Sequence, residues 1–254
     1  MKFPLLLRKQ ISNNMSSVKR ESHWIPLADL MTVLMVIFLF MSISYMALME
    51  KRQKLQNQLF KDYEESRISL FNELNEAFKK DFERWKLKLD PDLSIKFTDP
   101  QVLFPTGRSE ITPYFQTILS EFLPRYLSVV LQEKYKDKIA EIRIEGHTDT
   151  KPIGLSNDPY IDNMKLSQDR GRNVLAFLRN QTCFQSLRND EMERLQYWLT
   201  ANGLSFGRTV DREYKLTFES NRDIDNDKSR RVEFRIVTTS EAIINEALKN
   251  IEEK

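Results

Sequence analysis

The sequence predicts a single transmembrane helix, then a helical linker, then an α/β domain in which helices pack on a mixed β-sheet. Three observations predict it. Leu30 to Met49 (LMTVLMVIFLFMSISYMALM) carries no charge in a chain of 254 residues that is 30% charged. Glu50 to Leu89 is charge-rich, lacks glycine and repeats its apolar residues in steps of three and four. Beyond Pro91, short alternating segments and amphipathic helical segments follow one another. The corresponding divisions are a basic cytoplasmic arm over 1–22, the span over 23–49, a linker or stalk helix over 50–90, the α/β domain over 91–239 and a C-terminal helix over 240–254.

Composition removes several function classes. A net charge of +2 provides no strong basic field for nucleic acid. One cysteine, Cys183, excludes an internal disulfide framework and a multi-cysteine metal site. Two histidines, His23 and His147, argue against a His-rich metalloenzyme, and no enzymatic activity or bound cofactor is expected.

The apolar run is 20 residues long, about 30 Å at helical rise, which matches a hydrocarbon core. A cleavable signal peptide has an apolar region of about 7–15 residues with the cleavage site after it. Here the weak candidate Ser42-Ile43-Ser44 lies inside the run, so the span is expected to stay in the membrane. Lys2, Arg8, Lys9, Lys19 and Arg20 precede it, and Lys51, Arg52, Lys54 and Lys61 follow closely. Positive charge therefore favours a cytoplasmic N-terminus only slightly.

Asp29 lies at the start of the span, after Trp24-Ile25-Pro26-Leu27-Ala28. Pro26 suits a first helical turn and Trp24 an interfacial anchor. One reading of Asp29 is plain N-terminal capping, favoured by the helix dipole. The other is function. A carboxylate at the centre of a lipid-facing helix costs about 2.5–3.5 kcal/mol, and such groups usually face a protein partner or an aqueous path. Trp24 to Phe40 (WIPLADLMTVLMVIFLF) resembles the signature of MotB-type stator subunits, in which an aromatic precedes Ala-Asp-(Leu/Phe)-Met-Thr and an apolar run. The resemblance implies that Asp29 binds the translocated proton or sodium ion. Within that family, the Ala-Asp-Leu-Met-Thr form is most similar to the ZorB-type subunits of Zorya anti-phage systems.

In the linker, Leu55, Leu59, Tyr63, Phe71, Leu74, Phe78, Phe82, Trp85 and Leu89 form one apolar stripe. The stripe fits an amphipathic helix packed on its own domain or a parallel helix pair. A dimeric stalk is the favoured expectation; some 35–40 residues would span about 50–60 Å.

In the C-terminal domain, Ser94 to Thr98, Ala140 to Gly146, Lys215 to Glu219 and Arg231 to Val237 read as strands. Thr112 to Glu133, Asn163 to Asn180 and Asn189 to Thr200 read as helices, with Pro124 expected to kink or break the first. Asp158-Pro159 reads as a turn, and Ser240 is placed to cap a terminal helix over Glu241 to Glu253. Three motifs, Ile144-Glu145-Gly146-His147-Thr148-Asp149, Asn163-Met164-Lys165-Leu166-Ser167-Gln168-Asp169-Arg170 and Ser229-Arg230-Arg231-Val232-Glu233, are similar to those of the OmpA-like peptidoglycan-binding domain. Diaminopimelate in peptidoglycan ends in an ammonium and a carboxylate on one carbon, for which an aspartate and an arginine offer opposite charges. The resemblance assigns those roles to Asp149 and Arg170, with Asn163 and Leu166 lining the pocket and Arg230 adding positive charge. For Arg170 the competing reading is a salt bridge to Asp169 or Glu145, worth at most about 1 kcal/mol if exposed. His147 with Asp149 lacks the three or four ligands of a zinc site, so His147 is expected to order its loop and no metal site is expected. The connection Lys151 to Asp162 and the region Thr182 to Thr200 depart from the family pattern; Tyr160 is placed to contact sugar.

The resemblance implies an ion-conducting stator subunit in a bacterial inner membrane. A homodimer would sit inside a ring of MotA-like (ZorA-type) subunits, its C-terminal domain periplasmic and bound to peptidoglycan. The output would be Zorya anti-phage defence, with a flagellar-type stator or a passive wall tether as alternatives.

Overall fold

The computed structural model describes residues 24–99, 103–154 and 156–239. The expected basic arm and C-terminal helix lie outside the described residues. The chain forms two compact units, Met1–Leu55 and Gln56–Lys254.

The first unit contributes the start of helix α1 (Trp24–Phe78). Past Pro26 in its opening turn, this helix contains neither proline nor glycine, so nothing interrupts its hydrogen-bond ladder. Its apolar stretch is long enough to cross a membrane, and its side chains from Leu27 through Leu55 are exposed in the isolated chain. Thr32 is inside the helix, and its Oγ1 donates to the Ala28 carbonyl at 2.8 Å.

In the second unit the last turns of α1 become part of an α/β core. Ser66, Leu70, Leu74 and Phe78 recur every four residues and are all buried. This corrects the expected extent of the linker helix: it stops at Phe78 instead of reaching Leu89, and Leu87–Leu89 is an edge strand, β1. The ending has physical causes. The Phe78 ring stacks on Phe122 with centroids 4.9 Å apart. Arg125 reaches back to the Ala77 carbonyl and to Asp81, and Lys86 turns the chain at φ 48°. From Leu70 onward the apolar stripe is thus consumed by its own domain, with no second helix required.

Strand β2 (Ser94–Phe97) follows. Helix α2 (Pro113–Val130) is capped by Thr112, whose side chain accepts from the Phe115 N–H. It runs through Pro124 without stopping, so of the expected kink or break the break does not occur. Pro124 forfeits one backbone bond at a cost of about 3 kcal/mol, while Phe122, Leu123, Tyr126 and Leu127 on either side are buried; burying each contributes about 1.5–3 kcal/mol. A short 3-10 turn at Glu133–Tyr135 clasps α1, the Tyr135 hydroxyl meeting Ser69 and Glu73.

Then come β3 (Ile139–Gly146), α3 (Pro159–Arg179), α4 (Thr182–Gln185) and α5 (Asn189–Trp198). Next are β4 (Leu199–Gly203), α6 (Thr217–Ser220), α7 (Asn226–Ser229) and β5 (Val232–Thr238). Asp158-Pro159 opens α3 instead of forming a separate turn: Asp158 accepts from the Tyr160 and Ile161 N–H groups and Pro159 fills the first helical position. The expected strand over Lys215 to Glu219 is a single bridge, Val210 to Leu216, running into the one-turn α6. Strand β4 was not expected, because its first two residues, Leu199 and Thr200, were included in the helix expected over Asn189 to Thr200, which instead ends at Trp198.

The five strands lie in the order β1-β2-β5-β3-β4, antiparallel except for the parallel β3–β4 pair. This is the expected mixed sheet with helices packed on it. Phe97, Phe115, Phe122, Tyr126 and Phe234 knit sheet to α2, with neighbouring ring centroids 5.0–5.9 Å apart. Gly146 and Gly203 are register partners at the ends of β3 and β4. A Cβ on Gly146 would lie 2.2 Å from the Ser167 carbonyl oxygen, and one on Gly203 would lie 2.3 Å from the Gln168 nitrogen. Only glycine lets α3 approach this closely. Gly146→Ala is therefore expected to destabilise the domain by about 2–3 kcal/mol, the cost of overpacking against backbone. Chemical denaturation should show it as a lower midpoint at unchanged slope; wild-type stability would contradict the contact.

Candidate functional site

A pocket of about 340 Å³ opens where the ends of β3 and β5 meet α3, and it gathers all five C-terminal residues singled out from the sequence. Asp149 follows β3. Asn163, Leu166 and Arg170 share one face of α3 by their spacing of three and four. Arg230 closes α7 just ahead of β5. The antiparallel register that pairs Gly146 with Val232 brings Asp149 and Arg230 together from opposite ends of the sequence motif order.

Each side chain has a definite environment. Arg170 is only 5% exposed. Its Nε donates to the Arg108 carbonyl at 3.0 Å, and its guanidinium carbon sits 4.9 Å from the centre of the Phe104 ring. Among the described residues no carboxylate lies within ion-pairing distance of it. The competing salt-bridge reading does not hold: Asp169 pairs with Arg172, and Glu145 faces His147 and Arg208. Burial, with Arg230 nearby and against the pull of Asp149, lowers its pKa to about 10, so the group is charged at neutral pH.

Asp149 is less free than the sequence suggested. Its Oδ2 accepts from Arg230 at 2.5 Å, and its Oδ1 accepts from the Lys151 N–H at 3.2 Å. Arg230 also binds Asp227, so it does more than add positive charge. Asn163 spends its amide on the loop, donating to the carbonyls of Lys151 and Pro159 at 3.1 and 3.0 Å. Leu166 supplies half-buried apolar lining. Tyr160 packs edge-on against Phe206 at 5.1 Å and is partly exposed. Sequence reading missed three contributors: the Phe104 ring, the Arg108 carbonyl and the Lys151 side chain at the pocket wall. The apolar-to-turn step Leu103-Phe104-Pro105-Thr106-Gly107 could have flagged the first. Nothing in sequence marks a carbonyl.

Behind the pocket lies a buried charge cluster. Glu145 and Glu233 face each other across the β3–β5 ladder, and the Nε2 of His147 lies 3.7 Å and 3.6 Å from their carboxylates. The structure therefore does bring two possible metal ligands to His147, although not Asp149. The cluster is already crowded with cations. Arg231 binds Glu233, Lys96 stands 4.0 Å from Glu233, and Arg208 stands 4.0 Å from Glu145. A divalent ion would have to displace Arg231, so the arrangement reads as an ionic network. The His147 N–H to the Arg231 carbonyl, and the Thr148 N–H to the Ser205 carbonyl, fix the loop leading to Asp149.

A helix long enough to cross a membrane, followed in the chain by an α/β domain whose pocket holds opposed charges, defines the class of protein. The chain is 33% identical over 232 residues, 90% of its length and 93% of the relative's, to Zorya protein ZorB of Escherichia coli strain Crooks. It belongs to the ZorB family. No protein-family model matches it. Among solved structures it is similar to a MotB-like protein from Desulfovibrio vulgaris at 21% identity. That match has a TM-score of 0.46 and covers 72% of this chain and 99% of that one. The periplasmic domain of Helicobacter pylori MotB is 15% identical with a TM-score of 0.39, covering 62% and 84% respectively.

The cluster makes stability depend on pH. Burial pushes the Glu233 carboxyl up, but Arg231, His147 and Lys96 outweigh it and hold the pKa at about 2. Burial and Arg231 push the His147 imidazole below its ordinary value, against Glu233 and Glu145. Stability from a depressed carboxylate is complete above the ordinary carboxylate range and is lost as pH falls towards 2. A depressed imidazole loses stability as pH falls below the ordinary histidine range, because the unfolded chain takes the proton more readily. Both have the same sign. The melting temperature should fall steadily from pH 7 to pH 3, and Glu233→Gln should melt lower at pH 7 with a shallower acid slope. A flat profile would contradict the network.

Proposed function

We propose that this chain is the ion-conducting, wall-anchored subunit of a MotA/MotB-like inner-membrane motor serving Zorya anti-phage defence. The observation that carries the proposal is the pairing, in one chain of the ZorB family, of a lone carboxylate in an apolar span with a pocket holding a buried, unpaired arginine. In this reading the N-terminus is cytoplasmic and the C-terminal domain periplasmic. Two copies place their α1 spans inside a ring of MotA-like (ZorA-type) subunits.

Asp29 is the only formally charged residue from Trp24 to Met49. Enclosed by partner helices, it takes up a proton or a sodium ion from one side and releases it to the other. Each ion crossing 100 mV delivers about 2.3 kcal/mol. The C-terminal pocket holds the dimer to peptidoglycan so that the partner ring turns. Arg170 takes the carboxylate of the diaminopimelate end with the two guanidinium nitrogens not engaged by Arg108. Asp149 takes the ammonium, sharing its carboxylate with Arg230. Leu166 packs the methylene chain, and Asn163 keeps the loop 151–154 in place.

Two substitutions test the halves separately. Asp29→Asn keeps shape and removes titration; it should assemble with its partners yet reduce phage protection to the level of cells lacking the system. Full protection by that variant would leave only a passive tether. Arg170→Ala should reduce binding of the full-length protein to purified sacculi by at least tenfold, the loss expected on removing a buried charge-assisted contact. Unchanged binding would remove the pocket from the wall-binding role.

A further inference from the structure

We infer that Asn173 is a positioning residue for the ligand carboxylate: it ties loop 103–112 to α3 and thereby fixes the guanidinium of Arg170. The inference rests on the wall-binding reading above and deepens it.

A buried arginine is ordinarily paired with a carboxylate. Arg170 is buried, yet the groups that orient it are the Phe104 ring and the Arg108 carbonyl. Both belong to one loop. The loop is closed at its base, where the Thr112 N–H donates to the Leu103 carbonyl at 3.2 Å. It is closed again at its tip, where the Arg108 N–H donates to the Pro105 carbonyl at 3.0 Å. Gly107 stands at φ 68° in that tip, the left-handed conformation required at the third position of such a turn. These bonds give the tip a shape but not a place, and Pro105, Thr106, Gly107 and Arg108 are exposed. Its place is set by Asn173, which donates its amide to the Ser109 carbonyl at 2.8 Å and to the Ser109 Oγ at 3.3 Å. Ser109 directly follows the carbonyl that Arg170 uses.

Arg170 and Asn173 lie three residues apart on α3, so they present neighbouring side chains on one face. The two have different tasks. Arg170 commits its Nε to the loop and keeps its two terminal nitrogens for a ligand. Asn173 commits its amide to the loop alone. With the Arg108 carbonyl held still, the planar fork has one orientation, and a ligand carboxylate meets it already ordered. Without the Asn173 amide the tip keeps its turn but loses this tether. The Arg108 carbonyl is then in place for part of the time only, and apparent affinity falls by that fraction. The worth of one neutral hydrogen bond sets the loss at about fivefold.

The test uses the full chain in detergent and two soluble fragments. One is a disaccharide tripeptide ending in diaminopimelate; the other is the same fragment amidated at the carboxylate that shares a carbon with the free ammonium. Asn173→Leu removes the donor at nearly constant size, and Asn173→Ala removes the whole amide; melting curves check that each remains folded. Both variants should bind the free fragment about fivefold more weakly and the amidated fragment as wild type does. Placed on Arg170→Lys, which keeps the charge but gives up the Nε bond, neither should weaken binding further. Equal losses for both fragments would mean that Asn173 serves the fold alone, and the inference would be wrong. No loss for either, with Arg170→Ala still weakening the free fragment, would also overturn it and leave wall binding standing. If Arg170→Ala itself binds both fragments as wild type does, the wall-binding reading fails.

Discussion

The close approach of α3 to the ends of β3 and β4 is the constraint from which the site follows. At Gly146 and Gly203 the helix backbone occupies the space that any other residue would fill with a Cβ. The contact is held by polar bonds as well. Ser167 accepts from the Ser205 N–H, and Gln168 bonds both the Ala201 carbonyl and the Gly203 N–H. With Ser167 and Gln168 fixed on the strand ends, Leu166 and Arg170 flank them on the helix, and Arg170 is delivered to the pocket that Asp149 enters from β3. A helix standing an ångström further out would widen the pocket and expose the guanidinium to water, where its hold on a carboxylate weakens.

The second constraint is electrostatic. Two glutamates placed opposite each other on a ladder repel, and here Glu145 and Glu233 are both buried. Cations from β2, the Arg208 loop and the residue preceding β5 make the pair tolerable. A buried network of this type adds little net stability over an apolar replacement, but losing one member is costly. Its use is geometric: it fixes Arg231 beside Arg230 and His147 two residues before Asp149, so the loop ends that carry the pocket's charges have one arrangement.

Much of this was legible in the sequence, and the failures have causes. The span was legible because apolar length is a one-dimensional property. The residues Asp149, Asn163, Leu166, Arg170 and Arg230 were legible as motifs, and they do come together. Their partners were not. That Arg230 lies on Asp149 depends on the β3–β5 register, and that Arg170 rests on Phe104 and Arg108 depends on a loop some sixty residues away in sequence. The stripe on α1 was read correctly as apolar but assigned to a second helix, because periodicity states that a face is buried and not what buries it. Strand β4 escaped because it follows α5 without a break, so Leu199 and Thr200 were read as the end of that helix.

The two aspartates on which the proposed function turns stand in opposite situations. Asp149 has its environment within this chain: a cation, a backbone donor and a pocket wall. Its chemistry can be measured on the purified protein. Asp29 is exposed on a bare apolar helix, and none of the described residues covers it. A carboxylate cycles between protonated and ionised states near neutral pH only when its surroundings raise its pKa. Under the motor reading the protein surroundings of Asp29 must come from neighbouring subunits, so its ion chemistry is a property of the assembly. An ion-conducting subunit needs partner helices packed around Asp29, and a tether does not.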